Sequence, residues 1–173
     1  MPFNFTRKYD FVPNITIDGR RLDVVYSTKL LGVIIQSDCR WGGNTNYIVS
    51  KAKKRIWYLR RLKLLGASQN TLIDVYQLYV RSVLEMASPL WGGSITKKNS
   101  QDIEAVQITC MKLIGGQQFQ DYEQSLQMMG LDSLVARREK LCLKFAKKSL
   151  KSSRFKHWFL TRASLKIRSG KVY

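Results

Sequence analysis

Acidic residues are scarce in this sequence: 12 aspartates and glutamates stand against 30 lysines and arginines in 173 residues, for a net charge of +18. Histidine occurs once, at position 157, so a histidine-based acid/base pair or a cluster of imidazole ligands is excluded. The three cysteines, Cys39, Cys110 and Cys142, are odd in number, far apart and without C-x-x-C or Cys/His spacing, which argues against a disulfide framework or a zinc site and for free, buried thiols. The twelve carboxylates include no D-D or D-x-D pair of the sort that clamps two magnesium ions. The glycine pairs Gly42-Gly43 and Gly92-Gly93 lack the following lysine and helix start of a phosphate-cradling loop. These absences leave no candidate catalytic residue, metal ligand or cofactor site, and His157, beside Trp158 and Phe159 in a basic tail, reads as incidental. No apolar run approaches the roughly 18 residues that span a bilayer, and "MPFNFTRKYD" lacks the apolar stretch of a secretory signal. The chain is therefore expected to be intracellular, nuclear or cytoplasmic, with no membrane partner.

What is present is a hydrophobic fraction of 45%, enough for a packed core, and a segregated positive charge. Residues 39 to 73 carry eight basic and no acidic side chains, and residues 140 to 173 carry eleven and none. The stretch between them is nearly balanced, with six basic and eight acidic. Two acid-free blocks of this density are the footprint of a polyanion binder, because each neutralised phosphate releases condensed counterions. An acidic membrane surface is the rival polyanion, and "RFKHWFLTRASLKIR" (154 to 168) the segment that would meet it.

The expected fold class is α+β, mostly α. "NITIDGRRLDVV" (14 to 25) places Asp18-Gly19 between alternating apolar runs, the strongest short-range hairpin signal. "KLLGVII" (29 to 35) supplies a third strand with Gly32 inside it, so a three-stranded antiparallel meander is expected, lying against the first two helices. From Asn44 the period is helical and predicts a bundle of about four to five helices. Ile48, Ala52, Ile56, Leu59 and Leu62 stripe a helix over 45 to 65, stopped by Gly66. Ser68 caps the next, with Leu72, Val75, Tyr76, Tyr79 and Val83 inward until Pro89. Residues 91 to 100 read as a loop, after which Ser100 opens a helix with Ile103, Val106, Cys110 and Leu113 inward, ended by Gly115-Gly116. A short helix spans about 121 to 129, and Ser133 caps a last long one lined by Leu134, Leu141 and Phe145. Three segments follow: residues 1 to 41 with the strands, 42 to 150 with the bundle, and a basic, weakly ordered tail from 151 to 173.

At about 100 degrees per residue, Lys53 and Arg60 fall on one outer flank of the first helix, Lys54 and Arg61 on the other, and Trp57 between them. Cations on phosphates with a ring against a sugar or base suit a nucleic-acid backbone, whereas a solvated charged face with Trp57 packed on another helix is the plain alternative. In the last helix Arg137, Lys140, Lys144, Lys147 and Lys148 share about a third of the wheel. Lysines at that spacing repel one another by a few tenths of a kcal/mol per pair unless an anion relieves them.

Taken together, "TKLLGVIIQSDCRW", "NTNYIVSKAKKRIWYLRRLKLLGAS", "LYVRSVLEMASPLW", "IEAVQ" and "ARREKLCLKFAKKS" make the chain, over about residues 1 to 159, resemble the C-terminal third of the reverse transcriptase of non-LTR (LINE-type, jockey-like) retrotransposons. The resemblance implies that Lys29, Leu31, Gly32 and Val33 belong to the primer-grip hairpin at the end of the palm. It implies also that the basic helices form the thumb, with Lys53, Lys54, Arg55, Arg60 and Arg61 towards a template-primer duplex. Arg55 is the exception to the helical wheel, at the edge of the apolar stripe. The family's polymerase centre uses a Tyr-x-Asp-Asp motif and an earlier aspartate to hold two magnesium ions; these would lie upstream of Met1, and the motif is not among the 173 residues. The expectation is a non-catalytic part of an RNA-directed DNA polymerase that binds RNA/DNA duplex or hybrid without regard to sequence, with the missing polymerase portion as a further partner. A free-standing basic helical module that meets an acidic protein is the alternative.

Overall fold

The computed structural model describes residues 14 to 155 and residue 157. Two separate antiparallel hairpins come first, β1 (Thr16–Ile17) with β2 (Arg20–Arg21), and β3 (Ser27–Leu30) with β4 (Val33–Gln36). This corrects the three-stranded meander. The apolar run read as one strand is folded in half at Leu31-Gly32, both at positive φ (48° and 87°), so that Leu30 pairs with Val33 across a two-residue turn. Asp18 and Gly19 do the same between Ile17 and Arg20, with φ of 50° and 75°. Two positive φ values match the strand twist in such turns, and Gly32 is thus a turn residue and not a mid-strand bulge. Its absent side chain also makes room, because a Cβ there would stand 3.0 Å from Met86 Cε.

β4 is the inner strand, with Val33 buried, while β3 is exposed along its length. It is tied to the start of α1 (Gly42–Leu64) by two side chains. Asn44 Oδ1 accepts from Ile34 N at 3.1 Å, and Gln36 Oε1 accepts from Gly43 N at 2.8 Å, satisfying an amide that the first helical turn cannot. The β3–β4 hairpin therefore rests on the first helix and on Met86, beyond the second, while β1 and β2 are exposed.

The helical part continues with α2 (Gln69–Val75), a π-helical segment Tyr76–Arg81, α3 (Ser82–Leu84), α4 (Ser88–Trp91), α5 (Lys97–Gly115), a 3-10 turn Gly116–Gln118, α6 (Tyr122–Met128) and α7 (Leu134–Lys151). Ile48, Ala52, Ile56 and Leu59 of α1 meet Ile103, Val106, Cys110 and Met111 of α5 in one core, which Leu72, Tyr76, Val80 and Leu84 complete. Ser68 and Ser133 cap their helices as expected, accepting from Thr71 N and Ala136 N. The cap of α5 is Thr96, one turn before Ser100.

Further corrections concern helix boundaries and what faces inward. Trp91, assigned to a loop, is fully buried in α4 and donates its indole N–H to Met86 O at 2.9 Å. Pro89 starts that helix instead of ending the previous one, which stops at Leu84 before Ala87 turns left-handed (φ 53°). Tyr79 and Phe145 are exposed, and Cys39 is exposed as well, leaving Cys110 as the buried thiol and Cys142 half-buried.

Tyr79 has an identifiable cause. A π segment closes i to i+5 hydrogen bonds, so each turn holds an extra residue and the inward stripe slips. Val80 stays over Tyr76 and both are buried, whereas Tyr79 is swung outward. In the core, Tyr76 OH donates to Gln107 Oε1 at 2.6 Å and Gln107 Nε2 donates to Asp132 O at 3.0 Å, joining three elements through satisfied polar groups. Burial pushes the Tyr76 phenol well above its ordinary range. Residues 158 to 173, most of the tail assigned as weakly ordered, lie outside the described residues, as do residues 1 to 13.

Candidate nucleic-acid interface

α1 buries one stripe on α5 and leaves the opposite side to solvent. On that side Lys53, Lys54, Arg60 and Arg61 are all exposed, and none of them takes part in an ion pair among the described residues. The reason is compositional, since no acidic residue exists between Cys39 and Ile73 to pair with them. Asn46, Val49 and Ser50 join Lys53 and Lys54 around a shallow open depression near the helix start.

Trp57 is 56% exposed, which rules out its packing into a helix interface. It stands edge-to-face against Tyr58 (centroids 5.1 Å apart, 85°), and Tyr58 stands edge-to-face against Tyr79 (5.3 Å, 84°). The three rings form a row from α1 onto the π segment, flanked by Arg61 over Trp57 at 5.8 Å and Arg55 over Tyr79 at 4.4 Å. Tyr58 and Tyr79 were not among the residues expected at the site. Tyr58 lies on the flank of the α1 apolar stripe, at about 100 degrees from its centre, where only the packing decides exposure; Tyr79 required the π segment.

Arg55 differs from its neighbours. Its Nη1 donates to Tyr79 O at 2.5 Å, so its guanidinium clips α1 to the π segment and is half-buried. It supports the aromatic row and differs in this from the four unpaired cations of α1.

On the hairpin, Lys29 lies over the Tyr47 ring of α1, 4.6 Å from its centroid, with Lys51 at 5.9 Å on the same ring. Hydrogen bonding to Lys29 is the largest cause holding the Tyr47 phenol below its ordinary range, against a smaller opposing desolvation. Lys29 is thus placed at the same end of α1 as Lys51, and Gly32 sits at the hairpin tip above Met86.

The second basic face is partly paired with carboxylates of the same chain. Arg137 makes a two-pronged contact with Glu85, its Nη2 to Oε2 at 3.0 Å, and Arg81 reaches the same carboxylate at 3.9 Å. Lys140 Nζ is 2.8 Å from Asp132 Oδ2 in an exposed ion pair, so it differs from the unpaired lysines that follow it. Lys144, Lys147 and Lys148 are exposed and without an ion pair among the described residues. On α7, then, three unpaired lysines stand beside the paired Arg137 and Lys140.

No group of three or more histidine, cysteine, aspartate or glutamate side chains able to hold a metal occurs among the described residues. Nor is any described helix long and apolar enough to cross a membrane. Compared with protein-family models, curated proteins and solved structures, the chain shows no match to any of them.

Proposed function

We propose that these residues are the end of the palm and the thumb of a reverse transcriptase of the non-LTR retrotransposon type, and that they hold template-primer nucleic acid without reading its sequence. The observation that carries this reading is the outer side of α1, where four unpaired cations surround an exposed tryptophan. Lys53, Lys54, Arg60 and Arg61 engage phosphates, and Trp57, continued by Tyr58 and Tyr79, offers ring faces and edges to a sugar or an unpaired base. Lys29, on the β3–β4 hairpin packed against the same helix, would contact the strand end in the manner the resemblance gives to a primer grip. Lys144, Lys147 and Lys148 supply a second, weaker anchor.

The family's Tyr-x-Asp-Asp motif is not among these residues, so the reading gives them a binding role and no chemistry of their own. Phosphate-dominated binding has a defined signature, a steep and linear fall of log affinity with log salt. The test is fluorescence anisotropy of a labelled RNA/DNA hybrid and of an unrelated duplex over a salt series. Equal affinities and a steep slope support the reading. A salt-independent affinity, or association with an acidic protein that survives nuclease treatment of the mixture, would replace it with the protein-interaction alternative.

A further inference from the structure

The aromatic row does not stay on the cationic strip where it starts. Trp57 lies among Lys53, Lys54, Arg60 and Arg61, but Tyr58 is turned about 100 degrees further round α1, and Tyr79 belongs to the π segment. Over residues 69 to 84, which make up α2, the π segment and α3, the one basic side chain is Arg81. It donates to Gln77 Oε1 at 2.8 Å and stands 3.9 Å from Glu85. The one acidic side chain of that stretch, Asp74, is exposed and has no ion pair among the described residues. The cation that does reach Tyr79 is Arg55, which lies over the ring and donates to the Tyr79 carbonyl, so it holds the ring in place. This end of the row is thus poor in free positive charge and rich in ring surface.

That contrast bears on what the rings can hold. A phosphate is attracted to the α1 strip, whereas the Tyr79 end, with a carboxylate five residues away in sequence, offers a flat and uncharged contact. Edge-to-face packing leaves ring surface open, and Trp57, Tyr58 and Tyr79 remain 56%, 48% and 42% exposed. The group of a nucleic acid that fits such a surface is the base, and a base lies on a ring only when it is unstacked from its neighbours.

We infer that the ligand of this surface is a duplex that continues into a single strand, with duplex phosphates on α1 and about three unpaired bases along Trp57, Tyr58 and Tyr79. The inference rests on the proposed α1 contact and adds to it the class of ligand. Successive ring centroids stand 5.1 and 5.3 Å apart, more than the roughly 3.4 Å between stacked bases, so each ring takes its own base. Every base has a ring face, so the row discriminates paired from unpaired strands and not one sequence from another.

The test uses the full chain and fluorescence anisotropy with three labelled ligands built on one duplex: blunt, with an overhang of about three nucleotides, and with the same overhang made abasic. The abasic overhang keeps the phosphates and removes the bases. The overhang is placed at the 3′ and the 5′ end in turn. The intact overhang should bind about tenfold or more tighter than the abasic one at one polarity or both. That ratio should hold across a salt series, because stacking releases no counterions, while every ligand weakens steeply with salt. Tyr79→Leu and Tyr58→Leu remove rings at exposed positions, and each should bring the ratio down several-fold at an unchanged thermal midpoint. Lys53→Gln with Arg60→Gln should weaken intact and abasic ligands alike and preserve the ratio. Equal binding of intact and abasic overhangs at both polarities, with the steep salt dependence retained, overturns this inference and leaves the α1 contact standing. Loss of the salt dependence for all three ligands overturns the α1 contact itself. A ratio undiminished in both tyrosine variants while they remain folded also overturns the inference.

Discussion

Neutralising Lys53 and Arg60 together should change the salt dependence of nucleic-acid binding by a calculable amount. Both side chains are exposed, lie seven residues apart on one flank of α1 and have no acidic partner among the described residues. If Lys53, Lys54, Arg60 and Arg61 each neutralise one phosphate on a duplex short enough to span α1 alone, without reaching Lys29 or α7, the slope of log affinity against log salt is about −3.6, and raising salt from about 50 to 200 mM weakens binding about 150-fold. Lys53→Gln with Arg60→Gln removes two contacts, bringing the slope to about −1.8 and the same salt step to about 12-fold. Glutamine has nearly the helix propensity of lysine and arginine, so far-ultraviolet circular dichroism and the thermal midpoint should be unchanged. Lys140→Gln is the internal control, because Lys140 is already paired with Asp132 and its loss should leave the slope within about half a unit of wild type. The assay is anisotropy titration of a labelled duplex at four or more salt concentrations. A double variant that keeps a slope near −3.6 while folded would refute the assignment of phosphate contacts to α1.

Leu59→Ala, at a side chain with no exposure in the α1–α5 core, should cost about 2 to 5 kcal/mol in urea denaturation, and a loss under 1 would contradict that packing. Leu31 is 94% exposed at φ 48°, so Leu31→Asn should stabilise the chain by about 1 kcal/mol, and destabilisation would argue against the two-residue turn. Trp57→Ala should cost about 1 to 3 kcal/mol of binding to a duplex with a single-stranded overhang and little stability, measured by the same anisotropy assay and by the thermal midpoint. Burial pushes the Cys110 thiol up to about 12 from 9, so the native state holds a proton that the unfolded chain releases. Its contribution to stability is full below about pH 9 and declines between pH 9 and 12, and denaturation at stepped pH should show that fall steepened relative to a Cys110→Ala variant.

The parts of this fold legible in the sequence are those set by local chemistry. Asp18-Gly19 specifies a hairpin turn because both residues tolerate positive φ. Ser68 and Ser133 announce helix starts because a hydroxyl can take an orphan amide, and the stripe of Ile48, Ala52, Ile56 and Leu59 fixes which side of α1 is buried. The outward placement of Lys53, Lys54, Arg60 and Arg61 follows from that stripe by geometry, whereas the exposure of Trp57, which the sequence left open between a free ring and a packed one, was decided by the packing. Leu31-Gly32 was not legible, since leucine is an unusual first residue for such a turn and an unbroken apolar run reads as one strand. Trp91 was hidden by the Gly92-Gly93 pair after it, which reads as loop while α4 tucks the indole into the core.

The sequence by itself determined where the positive charge is concentrated, which face of α1 carries it, and that no acidic residue between Cys39 and Ile73 can quench it. Those are properties of spacing and composition, which survive any packing that buries the stripe. The tertiary structure decided which cations are spent. Glu85 and Asp132, 52 and 8 residues from their arginine and lysine partners, pair with Arg137 and Lys140; Tyr79 claims Arg55; and Ser100 at the start of α5 accepts from Arg138. Each of these depends on where separate elements cross, and the π segment that turns Tyr79 outward changes a helix's phase without any mark in the residues that a fixed helical period could read.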